Sequence, residues 1–134
     1  MGDPKVLLPL FLVLTVGLLA AVVVTGLKGR VKPHIVLVVA TLASLVITIY
    51  FAERLGELYD LAGAGRITEV HLLLAKIATL GFLAPAASGL MTLKQRRHKP
   101  LHFRLAMLSL ALTVAAAVTG AWMVLASEPL APHP

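Results

Sequence analysis

His34, His102, His71 and Lys76 are the residues with the most chemistry to offer, because each stands in or at the edge of a long apolar run. An imidazole can ligate a metal or haem iron, or pass a proton near neutral pH. His34 and His102 each open a run that travels in the same direction through the fold, so the two stand at similar depth. If those runs face each other, the two rings could share one metal or haem iron, or serve a quinone or a proton. The other reading is an interfacial histidine that is solvated or paired with a lipid phosphate. His71 lies at the opposite end of its run and is a separate cofactor-binding candidate there, too far away to join the first two. His98 falls in a basic loop and His133 in a proline-rich tail.

Lys76 sits six residues past Val70, about 9 Å along a helix. An amine at that depth in hydrocarbon costs on the order of 2.5 kcal/mol. Its flexible stem can carry the charge back to the interface, and Glu53 and Glu69 are candidate acidic partners. The alternative is contact with an anionic cofactor group or a partner subunit. Pro85 lies in the same run, just before Ser88 and Gly89. Proline lacks the N–H that would bond the carbonyl four residues back, so Gly81 keeps an acceptor for a hydroxyl or a water, and the helix kinks there. The Glu53–Glu57 pair has helical spacing; it reads as a solvated helix end or as a cation contact at the outer surface.

Several classes of function are excluded. The chain contains no cysteine, which removes disulfides, thiolate metal sites, c-type haem attachment and cysteine nucleophiles. It contains no HExxH, no GxSxG, no phosphate loop and no pair of carboxylates inside a run. The formal net charge of +6 comes mainly from residues beside the runs, without the aromatic interleaving of a nucleic-acid surface.

The elements that must position these residues are four apolar runs, Val6–Leu27, Ile35–Ala52, Val70–Leu93 and Leu105–Ser127. Each is long enough to cross about 30 Å of hydrocarbon as a helix. The mean hydropathy of +0.94 fits that reading. A 134-residue globule has too little interior to hide four such helices. The expected fold is all-α: a polytopic membrane protein with one domain, a four-transmembrane-helix up-down bundle with spans at about 6–27, 34–54, 69–93 and 103–127. The first run reads as a retained span, since only Lys5 precedes it as a basic leader. Gly26 and Gly29 are expected to end the first helix, and Thr68 or its predecessor to cap the third.

The connections carry opposite charge. Residues 28–33 contribute Lys28, Arg30 and Lys32, and residues 94–102 contribute Lys94, Arg96, Arg97 and Lys99. The middle connection holds Glu53, Glu57, Asp60 and Glu69 against Arg54 and Arg66. The positive-inside rule then gives an N-out, C-out protein of the bacterial inner membrane, with loops 28–33 and 94–102 cytoplasmic. Tyr50 and Trp122 fall near the outer ends, where interfacial aromatics belong.

Small and hydroxyl residues form stripes. Thr41, Ser44 and Thr48 follow His34; Ala106, Ser109, Thr113 and Gly120 follow His102. Such faces let membrane helices pack closely and share hydrogen bonds, or they line a quinone, haem or ion cavity.

Lys32-Pro33-His34, Thr48-Ile49-Tyr50-Phe51, Leu83-Ala84-Pro85, Arg96-Arg97-His98 and Thr119-Gly120-Ala121-Trp122-Met123 together resemble a family of small four-span bacterial membrane proteins associated with haem–copper oxidase assembly. The likeness covers residues 32–125. It departs from the family where histidines at the outer end of the second helix and inside the third are replaced by residues around Glu53–Leu55 and by Lys76 or Ile77; His34 and His98 carry over. Di-haem b-type four-helix cytochromes are a looser likeness, and lack of a second histidine pair stands against it. The resemblance implies an accessory or assembly subunit of a respiratory or electron-transfer membrane complex. The small size, the stripes and the lysine within a run fit a protein without catalysis of its own that packs against other membrane subunits or itself, with Lys76, Glu53, Pro85, Thr41, Ser44 and Thr48 as structural or partner contacts. The alternatives are a haem b- or quinone-binding redox protein and a small oligomeric transporter.

Overall fold

A computed structural model describes residues 3–130. The chain is all-α but for one two-residue ladder. Helix α1 spans Pro4–Leu27, α2 Val31–Gly56, α3 Arg66–Gly81, α4 Leu83–Lys94 and α5 Lys99–Ala126; strands β1 (Tyr59–Asp60) and β2 (Glu128–Pro129) pair with each other. Helices α3 and α4 are two pieces of one span, so among the described residues four stretches are long and apolar enough to cross a membrane. Contacts within the chain gather into two units, one holding α1 and α2, the other α3, α4 and α5.

In each unit the burial is inverted relative to a water-soluble protein. The sheltered side chains are mostly hydroxyls: Thr15, Thr41, Ser44, Thr48, Ser88, Ser109 and Thr113. The exposed ones include Val13, Val36, Val46, Leu73, Leu80, Leu83, Leu90 and Val118. Water would not tolerate that arrangement. In lipid, aliphatic surface costs nothing to expose, and small residues between helices allow close approach and hydrogen bonding. The protein is therefore a multi-pass helical membrane protein.

The first hairpin closes tightly. The Asp3 carboxylate accepts from the Lys5 N–H at 2.9 Å and caps α1, with Pro4 in the first turn where its missing N–H is no loss. At the other end Gly29 takes φ +64°, and the Arg30 N–H returns to the Thr25 carbonyl at 3.0 Å. Gly29 thus terminates the helix, whereas Gly26 lies inside it and serves a different purpose, described below. Inside the hairpin, Thr15 Oγ1 stands 2.7 Å from Ser44 Oγ and 3.1 Å from Thr48 Oγ1. Phe11 stacks on Phe51 with centroids 5.7 Å apart.

In the second unit the third span breaks at Phe82, three residues before Pro85. The carbonyl that proline strands belongs to Gly81, and the Ser109 hydroxyl of α5 donates to it at 3.1 Å. Helix α3 starts earlier than its expected cap. Its N-cap is Gly65, at φ +74° and ψ −141°, a conformation closed to other L-residues. Thr68 lies within the first turn, and its hydroxyl donates to the Leu61 carbonyl. After α2 ends at Gly56, the chain passes through β1 and a 3-10 turn at Ala62–Ala64, where Asp60 Oδ1 accepts from the Gly63 N–H at 3.1 Å.

Candidate functional site

The three histidines within the spans make the same arrangement. His34, near the start of α2, places Nδ1 3.0 Å from the Val22 carbonyl oxygen of α1. His102, near the start of α5, places Nδ1 3.0 Å from the Pro85 carbonyl of α4. His71, in the second turn of α3, places Nδ1 3.0 Å from the Ala116 carbonyl of α5. In each case a hydroxyl residue follows the carbonyl by three positions and a glycine by four. The sets are Val22, Thr25 and Gly26; Pro85, Ser88 and Gly89; Ala116, Thr119 and Gly120.

Each member of the clasp has a physical task. A carbonyl oxygen can only accept, so the imidazole proton sits on Nδ1 and Nε2 is the basic nitrogen. The hydroxyl donates within its own helix. Thr25 Oγ1 reaches Val22 at 3.0 Å, Ser88 Oγ reaches Pro85 at 3.2 Å, and Thr119 Oγ1 reaches Ala116 at 3.1 Å. The same oxygens lie 3.4, 3.2 and 3.3 Å from the three Nδ1 atoms. The glycine makes room for the ring. A Cβ built on Gly26 would stand 3.2 Å from the imidazole Cε1 of His34, one on Gly89 3.2 Å from that of His102, and one on Gly120 only 2.7 Å from that of His71.

Two of these clasps occupy the loop ends of the two hairpins, His34 with α1 and His102 with α4. Seven residues beyond each histidine lies a buried hydroxyl, Thr41 or Ser109. The hairpins thus repeat one plan. They differ at their far ends, where α3 and α5 are joined by His71 and Gly120, while α1 and α2 have the Phe11–Phe51 stack. The glycines and hydroxyls of the clasps were visible as small residues, and their joint role escaped the sequence. The signal was present: the chain has three Ser/Thr-Gly dipeptides, at 25–26, 88–89 and 119–120, one for each histidine in a span.

The other candidates divide clearly. Ser44 and Thr48 meet Thr15, and Thr41 is buried with its hydroxyl on the Leu37 carbonyl at 2.7 Å, so this stripe serves its own hairpin. Pro85 acts through the Gly81 acceptor and through its own carbonyl, which takes the His102 imidazole. Glu53 is exposed, and Glu57 pairs with Arg54 at 3.0 Å. Lys76 is exposed on α3 between Leu73 and Leu80, and forms no ion pair among the described residues, with Glu69 or otherwise. His98 takes a 3.4 Å contact from Arg97 Nε; His133 lies outside the described residues. No group of three or more His, Asp or Glu side chains gathers as a metal site among the described residues. Along α5, Met107, Leu110, Ala111, Val114 and Val118 border a shallow apolar depression, with Thr119 at its end.

The arrangement can therefore lock helix pairs, fix imidazole tautomers and present the Lys76 amine of α3 to the surroundings. No protein-family model, curated protein or solved structure matches the chain.

Proposed function

We propose that the protein is a non-catalytic accessory or assembly subunit of a respiratory or electron-transfer membrane complex, held in the bacterial inner membrane with loops 28–33 and 94–102 cytoplasmic. Lys76 carries this reading. The polar groups inside each unit are satisfied by their own hairpins, whereas this amine is exposed beside Leu73, Ile77 and Leu80 without an acidic partner among the described residues. A cation at that depth is best stabilised by an anionic group on another subunit. The likeness over residues 32–125 supplies the kind of complex. The test is purification from native membranes in a mild detergent. Wild-type protein should bring down haem-containing subunits, and Lys76→Met should bring down at least ten-fold less. Recovery of wild-type protein as an isolated, stable monomer would overturn the reading.

A second reading, a haem b- or quinone-binding redox protein using His34 and His102, has one specific support. Imidazoles that ligate metals are commonly oriented by donating their other N–H to a carbonyl, and all three histidines are held that way. In that case haem would supply the redox chemistry, and the chain would supply fixed, Nε2-basic rings. A reduced-minus-oxidised spectrum of the purified protein decides it: a haem band that disappears in His34→Ala or His102→Ala would establish this function in place of the first.

A further inference from the structure

The tip of the second hairpin concentrates positive charge on an apolar rim. Lys94 ends α4, Arg96 and Arg97 lie in the connecting 3-10 turn, Lys99 begins α5 and Arg104 follows five residues later. All five are exposed, and none forms an ion pair among the described residues. The chain offers them nothing nearby in sequence, since no aspartate or glutamate occurs between Glu69 and Glu128.

The cations are not alone at this end. Leu93 is 55% exposed, and Leu101 and Phe103 are each 48% exposed. Arg104 stands about 7.5 Å along the helix beyond Lys99, so its backbone is level with Leu101 and Phe103 on the same helix. An acidic protein partner would use the charges and leave the apolar rim uncovered. A phospholipid uses both: its phosphate meets the cations and its acyl chains lie against the leucines and the phenylalanine.

We propose that residues 94–104 form a binding site for anionic phospholipid headgroups, with Arg96, Arg97 and Arg104 contacting the phosphate. Guanidinium suits this role because its planar fork can offer two parallel donors to phosphate oxygens. Lys94 and Lys99 add charge without directional demand. The site is independent of which complex the protein serves and of whether it carries haem.

The test uses the full chain in a neutral detergent, titrated with phosphatidylglycerol or with phosphatidylcholine of the same acyl chains. Retained lipid is counted by native mass spectrometry. Wild-type protein should retain phosphatidylglycerol at about ten-fold lower concentration than phosphatidylcholine. The preference should fall with each cation removed, and vanish in the triple variant R96Q/R97Q/R104Q. R96K/R97K/R104K should keep part of it, and R66Q, at the opposite end of the third span, all of it. Unchanged helical content by circular dichroism shows that the variants fold. Equal retention of the two lipids by wild-type protein would overturn the proposal, as would an undiminished preference in the triple variant. Displacement of phosphatidylglycerol by millimolar glycerol phosphate would identify a soluble phosphate as the ligand, and displacement by polyglutamate an acidic peptide; either overturns the assignment to lipid.

Discussion

His71 Nδ1 lies 3.0 Å from the carbonyl oxygen of Ala116, its contact across the second unit, and the ring rests where a side chain on Gly120 would have to be. One imidazole thereby fixes both the spacing and the register of α3 against α5.

Gly120→Ala should therefore be the most damaging of the three glycine-to-alanine changes. Its new methyl would meet Cε1 of His71 at 2.7 Å, against 3.2 Å at Gly26 and Gly89. Overpacking of this kind costs about 1–3 kcal/mol. Thermal unfolding in detergent, followed by circular dichroism, should rank Gly120→Ala below the other two. In a His71→Ala background the penalty of Gly120→Ala should largely disappear, because the colliding ring is gone.

Thr15→Val keeps the volume and removes the hydroxyl shared with Ser44 and Thr48. Interhelical hydrogen bonds in membranes contribute about 0.6 kcal/mol on average, so a loss of roughly 1 kcal/mol is expected in a reversible unfolding titration. Thr25→Val, whose hydroxyl reaches the neighbouring helix only at 3.4 Å, at His34 Nδ1, should lose less.

Ser109 and Pro85 should show coupling. Ser109→Ala leaves the Gly81 carbonyl without its donor, at a cost of about 1–3 kcal/mol for an unsatisfied buried acceptor. Pro85→Ala restores an N–H four residues after Gly81, so Ser109→Ala should cost less in that background. Additive effects in the double-mutant cycle would show that the two side chains do not share this oxygen.

Topology can be read directly because the chain contains no cysteine. Single cysteines at Val31 or Gln95 should resist a membrane-impermeant maleimide in whole cells and react after permeabilisation. Cysteines at the exposed Leu58 or Glu128 should react from outside. The reverse pattern would invert the orientation inferred from loop charge.

The helices themselves were legible from composition. Runs of apolar residues without charge can satisfy their backbones in lipid only as helices. The expected spans 6–27 and 103–127 compare with Pro4–Leu27 and Lys99–Ala126, each helix starting a few residues earlier at its N-terminal end because helix formation does not stop where hydrocarbon does. The acceptor at Gly81 was also legible, since proline affects the residue four before it by covalent rule. Ser109 as its donor was not, because that requires the register of α3 against α5, which no periodicity within either helix encodes. The histidines illustrate the same limit. Their positions suggested cofactor chemistry, yet each ring's nearest partners lie on another helix, and pairing a histidine with the matching Ser/Thr-Gly dipeptide meant crossing a loop of unknown geometry. Thr68 and the residue before it are not the cap for a simpler reason: Gly65 starts the helix earlier by adopting a backbone conformation that threonine rarely can.

The hydroxyl-lined seams between helices have a consequence for how this molecule can be handled. Threonine and serine edges are good company for water, and the valine and leucine exterior is not. Aqueous solvent would favour swapping the two. The folded state is thus defined relative to an oily medium, and a detergent thin enough to admit water between α1 and α2 would attack Thr15, Ser44 and Thr48 before it disturbed any aliphatic contact.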